Sequence, residues 1–409
     1  MVQQLPDMKG FWRTRMNKAH KIFRNLIDEY YASVSRAREE GRKIGWCTSN
    51  FPQEIAEALN LEVCYPENHS ATLANAKEGE RYIQKAESLG YSNDLCSYAR
   101  INLGYVETFD SKVRNIPKPD FLLVCTNTCH QLVKWFEILK QKFSIPMFVI
   151  DIPQRIKGTL DKDTLSYVSS QFHEVMESLA AFAGTEVNSD RLEEVMRISS
   201  SCGREWKEIH QLAADNPGLI NGFDLFVLMS LVVVRRGRKE TLEAFSIYYD
   251  ELLDMIEKKK SAFPGTLKKK VYLEGLCCWS NLLEMQLPLL NRGINLVSST
   301  YTQLFGLEYR DFSEMIASYC SIPNTLSFDE GLNLRKRLIN DAKADGIMFD
   351  ITRSCRIWCG NDYEMERRLQ DETYLPTVIF DGDQTDGRNF SFAQYETRIQ
   401  AFSEMMEDR

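Results

Sequence analysis

Eight short apolar runs, in two sets of four, constrain this chain more than anything else in it. The first set covers residues 43–47, 61–65, 121–125 and 147–150, and the second covers 270–275, 294–297, 346–351 and 377–380. Helical patterns separate the runs, notably 53–59, 77–89 and 131–142 in the first set, and a last helix is expected over 392–406. Strand and helix in alternation call for a parallel sheet covered on both faces. The fold class expected is therefore α/β: two lobes, each a parallel four-stranded sheet flanked by helices, joined by a largely helical domain.

That helical domain is read from about 162 to 260, with amphipathic stretches at 167–182, 191–213 and 223–255. Asn188-Ser189-Asp190 supplies an N-cap, and Asn216-Pro217-Gly218 a break. A further amphipathic helix runs over 9–40, with Phe11, Met16, Ile22, Phe23, Leu26, Ile27 and Tyr30 at helical spacing and Gly41 closing it. It is read as facing the chain's own core in preference to a partner subunit. With 409 residues the chain exceeds one hydrophobic core. The expected division is 1–41, an N-terminal helical segment; 42–160, the first α/β lobe; 161–265, the helical domain; and 266–409, the second α/β lobe.

A formal net charge of −8 argues against a nucleic-acid partner, whose affinity would rest on neutralising phosphates. The longest apolar run, 225–234 with Ser230 inside it, is far shorter than the roughly 20 residues of a membrane helix. No secretory signal is recognisable at the N-terminus, so no membrane is expected as partner and the cytoplasm is the expected location. There, eleven cysteines are reduced thiols: core residues, metal ligands or reactive groups. No GxxxxGK[ST], strand-linked GxGxxG, HExxH or GxSxG occurs, so no nucleotide site is recognisable and hydrolase mechanisms lose most of their support.

The two lobes share a layout. In each, the third run leads to a cysteine, Cys129 or Cys355, and the fourth to an aspartate, Asp151 or Asp381. Parallel α/β sheets bind ligands beyond the carboxyl ends of their strands, so both cysteines fall on functional edges that could share a cleft. Cys96 opens the mixed polar and aromatic stretch from Asp94 to Tyr105. These three thiols sit past element ends among polar residues, which points to a metal or redox role. Cys47, Cys64, Cys125, Cys202 and Cys320 sit in apolar surroundings and read as small buried hydrophobes. Cys277-Cys278 fits either reading. Cys125 and Cys359, each four residues from one of the three, are the nearest candidates for a fourth ligand. His130, beside Cys129, reads as a surface residue at a helix start. The run from Arg235 to Lys239 could meet phosphates, although such runs are more often solvated helix faces. Asp381-Gly382-Asp383 and Arg388 could line the cleft or form a turn.

Several segments together resemble the 2-hydroxyacyl-CoA dehydratase family, which also includes benzoyl-CoA reductase subunits. They are Gly45-Trp46-Cys47-Thr48-Ser49 with Phe51-Pro52-Gln53-Glu54, Tyr65-Pro66-Glu67-Asn68, Asp94 to Tyr105, and Asn127-Thr128-Cys129 with Lys134-Trp135. They continue with Asn221-Gly222-Phe223-Asp224, Arg353-Ser354-Cys355, and Phe380-Asp381-Gly382-Asp383-Gln384 running into Tyr395 to Gln400. The likeness covers nearly the whole chain after about residue 25 and is greatest to the substrate-binding α-type subunit of the branched-chain type.

That resemblance implies a [4Fe–4S] cluster held by Cys96, Cys129 and Cys355, with one iron left without a protein ligand. It implies a hydro-lyase that removes water from a 2-hydroxyacyl-CoA through a ketyl radical. Its partners would be a related β-type subunit and a separate ATP-dependent iron–sulfur activator. Ser49 would hydrogen-bond a substrate oxygen, and Glu67 would assist departure of the hydroxyl; the alternative for Ser49 is capping the helix that starts near Pro52. Cys47, where the family usually has serine, and the Cys277-Cys278 pair depart from its pattern and bear on pocket shape. Two other readings stay open: an aryl-CoA reductase subunit, marked by stoichiometric consumption of electrons, and a non-catalytic electron-transfer or scaffold subunit, marked by a four-cysteine cluster.

Overall fold

The computed structural model describes residues 18–408, and all eight apolar runs are strands in it. Strands β1 (Ile44–Cys47), β2 (Glu62–Cys64), β3 (Phe121–Cys125) and β4 (Met147–Ile150) form one sheet in the order β2-β1-β3-β4. Strands β5 (Lys269–Glu274), β6 (Ile294–Ser299), β7 (Gly346–Thr352) and β8 (Thr377–Gly382) form the second in the matching order β6-β5-β7-β8. Every pairing is parallel. Strands β1, β2, β3, β6 and β7 are buried at each position, whereas β4, β8 and the first two residues of β5 are partly exposed. Helices cover both faces, as apolar strands of this kind require.

The strand order places the site. In each sheet the chain steps outward from the first strand to the second, then returns past the first to lay down the third. The connections leaving β1 and β3 therefore diverge, as do those leaving β5 and β7, and a crevice opens beyond their carboxyl ends. In the first sheet this crevice is stitched at its base: Thr48 N–H donates to Leu123 O at 3.0 Å, and Cys125 N–H to Thr48 Oγ1 at 3.1 Å. Above it, Asn127 Nδ2 donates to Asn50 O at 3.1 Å.

The helical section comprises Lys162–Ala183, Ser189–Asp215, Gly222–Arg235 and Lys239–Glu257. Asp161, Asn188 and Asn221 cap the first three through their side chains. The stretch expected as one helix over 223–255 is two, broken at Gly237, on either side of which Arg236 and Arg238 turn inward to acids of the first lobe. Arg236 Nη2 lies 3.3 Å from Glu54 Oε1, and Arg238 Nε 2.5 Å from Glu57 Oε1. Lys239 pairs with Glu194 at 2.7 Å. The basic run is thus neither a solvated face nor a phosphate site; it fastens the helical section to the first sheet's helices.

The N-terminal helix Lys18–Glu39 packs on its own chain, with Phe23 edge-on to Phe245 (5.3 Å) and Tyr30 Oη donating to Val63 O (3.3 Å). Phe11 and Met16, expected on the same helix, lie outside the described residues. One apolar cluster runs from this helix through the first sheet and the helical section to one face of the second sheet. The other face of that sheet carries a smaller cluster around Tyr272, Phe349, Ile351 and Leu369. No helix among the described residues is long and apolar enough to cross a membrane.

Candidate active site

Every strand but β4 is followed within a few residues by a side chain lining one cavity of about 620 Å³. Ser49 follows β1, Glu67 follows β2 and Cys129 follows β3; Leu276 and Trp279 follow β5, Tyr301 β6, Cys355 β7 and Gln384 β8. The carboxyl edges of the two sheets therefore face each other across a shared space. Cys96 also lines it, carried in on the connection between β2 and β3.

Each of the three thiols sits where a helical segment begins. Cys96 precedes Ser97–Tyr105, Cys129 precedes His130–Phe143, and Cys355 precedes the short turn Arg356–Cys359. First-turn amides bear on the sulfurs and favour the thiolate: Tyr98 and Ala99 on Cys96, Gln131 and Leu132 on Cys129, and Trp358 on Cys355. Burial and mutual repulsion outweigh them. Burial pushes Cys96 up to about 11 and Cys129 up to about 12, and raises Cys355 well above an ordinary thiol. Cys96 adds its charge against Cys129, and both add theirs against Cys355, so the three share one electrostatic neighbourhood. A cationic group binding there would release the thiol protons. Among the described residues no three His, Cys, Asp or Glu side chains are spaced to grip a single ion. Three soft sulfur donors on one wall suit a multinuclear cluster instead, whose thiolates bind different metal atoms.

Beside the thiols, Ser49 N–H donates to Glu67 Oε2 at 2.7 Å, and the Ser49 hydroxyl also bonds this carboxylate. Burial nevertheless raises Glu67 to about 7, so it exchanges a proton near neutrality. Ser49 does not cap the helix Gln53–Ala58, whose N-cap residue is Pro52.

A further part of the lining is aromatic. Phe226 stacks on Tyr301 (6.1 Å) and meets Trp279 edge-on (6.3 Å), and Tyr301 is edge-on to Phe305 (6.2 Å). Trp279 Nε1 donates to Tyr98 Oη at 2.7 Å, and the Tyr98 hydroxyl in turn bonds that of Tyr301. The basic lining residues His20, Arg24 and Arg114 belong to the side closed by the N-terminal helix, where Arg114 pairs with Asp28.

Other positions singled out in the sequence fall elsewhere. Cys47, Cys125, Cys277 and Cys278 are buried and do not line the cavity, nor does half-buried Cys359. His130 is exposed at its helix start. Asp151 accepts from Thr126 Oγ1 (2.8 Å) and Tyr167 Oη (2.9 Å), and Asp381 pairs with Arg353 at 2.5 Å. Asp383 and Arg388 join the lobes: Asp383 accepts from Ser97 Oγ, and Arg388 pairs with Glu87. Sequence reasoning missed Tyr301, Trp279 and the helix Pro66–Asn75 that carries Glu67. It quoted Tyr98 and Gln384 only as parts of longer segments.

This cavity belongs to a chain with close relatives. Residues 48–406 match the family model of the 2-hydroxyglutaryl-CoA dehydratase D-component. The chain is 39% identical over 389 residues to the (R)-phenyllactyl-CoA dehydratase alpha subunit of Clostridium sporogenes, covering 95% of this chain and 96% of that one. It is 40% identical over 395 residues to the (R)-2-hydroxyisocaproyl-CoA dehydratase alpha subunit of Clostridioides difficile, covering 96% and 97%. To subunit alpha of (R)-2-hydroxyglutaryl-CoA dehydratase of Acidaminococcus fermentans it is 31% identical over 460 aligned positions, covering 95% and 96%. With a match of this extent over the strands, loops and helices that build the cavity, the chain belongs to the 2-hydroxyglutaryl-CoA dehydratase D-component family, an enzyme of hydro-lyase type.

Proposed function

We propose that this chain is the substrate-binding, α-type subunit of a cytoplasmic (R)-2-hydroxyacyl-CoA dehydratase that converts its substrate to the (E)-2-enoyl-CoA. One observation carries the reading: three cysteines from distant parts of the chain line the same cavity as a carboxyl group poised near neutrality. Cys96, Cys129 and Cys355 would hold a [4Fe–4S] cluster, and three thiolates leave one iron open. When bound, such a cluster supplies one-electron chemistry, which loosens the 2-hydroxyl by way of a ketyl radical anion of the thioester. The electron comes from an ATP-dependent iron–sulfur activator protein, and a related β-type subunit completes a heterodimer.

The chain's own residues do the rest. Glu67, half protonated near pH 7, hands a proton to the departing hydroxyl, which leaves as water; loss of the β-proton and return of the electron would then give the 2-enoyl-CoA with no net redox change. The Ser49 amide and hydroxyl hold the Glu67 carboxyl in place. The Phe226, Trp279, Tyr301 and Phe305 wall excludes water and accepts an apolar acyl side chain. A second carboxylate in the acyl group would need a buried cation against that wall, and the basic lining residues lie on the N-terminal helix side. Large aryl or branched aliphatic 2-hydroxyacyl groups are therefore the substrates, in line with the relatives named for phenyllactyl- and 2-hydroxyisocaproyl-CoA.

The test is anaerobic iron and sulfide analysis with EPR on the chain co-produced with its partner subunit. Wild type, and the variants Cys125→Ala and Cys359→Ala, should hold about one four-iron cluster in this chain, whereas Cys96→Ala, Cys129→Ala and Cys355→Ala should lose it. A wild-type chain without iron, or a cluster that survives all three substitutions, refutes the reading. With catalytic amounts of activator, phenyllactyl-CoA should be dehydrated in preference to 2-hydroxyglutaryl-CoA.

A further inference from the structure

Gln384 is fully buried just past the end of β8 and is held at three points, two on its side chain and one on its backbone. Its carbonyl oxygen Oε1 accepts from Ser354 Oγ at 3.3 Å, its backbone oxygen accepts from Trp279 N–H at 3.0 Å, and its Nε2 donates to Cys96 Sγ at 3.1 Å. Ser354 Oγ itself accepts from Ser97 N–H at 3.1 Å, so its own proton is directed at Oε1. This chain of donors settles the orientation of the amide: with Oε1 held by Ser354, the NH₂ end must face the sulfur. Ser97 and Ser354 are the direct neighbours of Cys96 and Cys355. A single amide thus ties two of the three thiol loops to each other and to the second sheet.

Resting on the cluster reading above, we propose that Gln384 is a positioning residue for that cluster: a fixed N–H···S donor to the Cys96 thiolate that raises its reduction potential. The physical cause is charge. Reduction adds an electron, part of whose density is carried on the ligand sulfurs, and a donor aimed at sulfur stabilises the more negative state. Among the described residues, Cys129 and Cys355 have backbone amides and no side-chain donor bearing on their sulfurs, so the effect is lopsided and acts on the Cys96 side. No other group need move, because the amide is already aligned and shielded from water.

The experiment is a potentiometric EPR titration of the anaerobically purified heterodimer, without activator or substrate. Gln384→Leu removes the donor at similar volume, and Gln384→Met removes it with a flexible apolar side chain. The midpoints of both should fall below wild type. Ser354→Ala frees the amide to turn and should shift the midpoint the same way by less; it decides the matter if the Gln384 variants do not assemble. In turnover with a fixed amount of activator, Gln384→Leu should lower kcat with KM little changed. A Leu midpoint equal to or above wild type, or an unshifted Ser354→Ala where the Leu variant cannot be made, overturns the proposal while leaving the cluster in place. A wild-type heterodimer with no cluster in this chain overturns the functional reading itself, and this inference with it.

Discussion

Replacing Glu67 with glutamine should stabilise the protein more as the pH rises, while abolishing most of its activity. An ordinary glutamate loses its proton near 4.5, and burial holds the folded-state value at about 7. Between those values the folded protein keeps a proton that the unfolded chain has released, so stability falls as pH rises through this window and levels off above it. At about 1.4 kcal/mol per pKa unit the full effect is about 3 kcal/mol, of which about 1 kcal/mol falls between pH 6 and pH 8.5. Glutamine carries no charge and is free of this penalty, though it weakens the bond from Ser49 N–H by about 1 kcal/mol. Melts of wild type and Glu67→Gln in urea, run side by side from pH 6 to 8.5, should show the variant gaining on wild type by about 1 kcal/mol across the series. A stability difference that does not change with pH, or one that changes in the opposite sense, would refute the argument. In catalysis, wild-type kcat should fall above about pH 7 as the proton is lost, and the glutamine variant should be slower by about 10²-fold or more with a flat profile.

Removing the guanidinium of Arg236, which is buried against Glu54 at 3.3 Å, should cost about 3–5 kcal/mol by thermal melt, and Arg236→Met with Glu54→Gln should recover most of it. Although burial alone would raise Glu54, its partners hold it below the usual carboxylate value, which is why the single removal is so costly. A Cβ on Gly382 would overlap the buried Asp350 carboxyl and Cys278 Sγ. Gly382→Ala should therefore lose about 1–3 kcal/mol of stability, read as a drop in melting temperature and in soluble yield. Phe226→Leu, which thins the aromatic wall, should lower kcat/KM for an aryl 2-hydroxyacyl-CoA by about 10-fold or more relative to a branched aliphatic one; an unchanged ratio would place the acyl group elsewhere.

Much of the architecture was legible because it rests on local patterns. All eight strands lie where apolar runs are bounded by turns, since a strand buried on both faces leaves a continuous apolar signature. Asn188 caps its helix as read, accepting from Arg191 N–H at 2.9 Å, because a cap involves residues only three apart. The break at 236–238 did carry a sequence signal, Gly237 directly after the C-cap Arg236, but the long amphipathic pattern of 223–255 hid it; the pairing of Arg236 and Arg238 with Glu54, Glu57 and Glu62 of another lobe was not legible at all. The helix Pro66–Asn75 escaped for a related reason, as its polar sequence is stabilised by packing on the helix Ser97–Tyr105 more than by its own pattern.

The site divides in the same way. By itself the sequence singled out Cys96, Cys129 and Cys355, and resemblance to known segments added Ser49 and Glu67 and assigned roles to all five. Only the tertiary structure brought them to one cavity, because whether loops after different strands meet depends on strand order and on how two sheets face each other. It also decided that Glu67 titrates near 7, a consequence of burial that no residue type announces. The same holds for Gln384, whose bond to Cys96 spans a separation of 288 residues and exists only because the carboxyl edge of the second sheet closes over the thiols of the first. Patterns at short range are written into the chain, whereas contacts between distant loops are settled by packing.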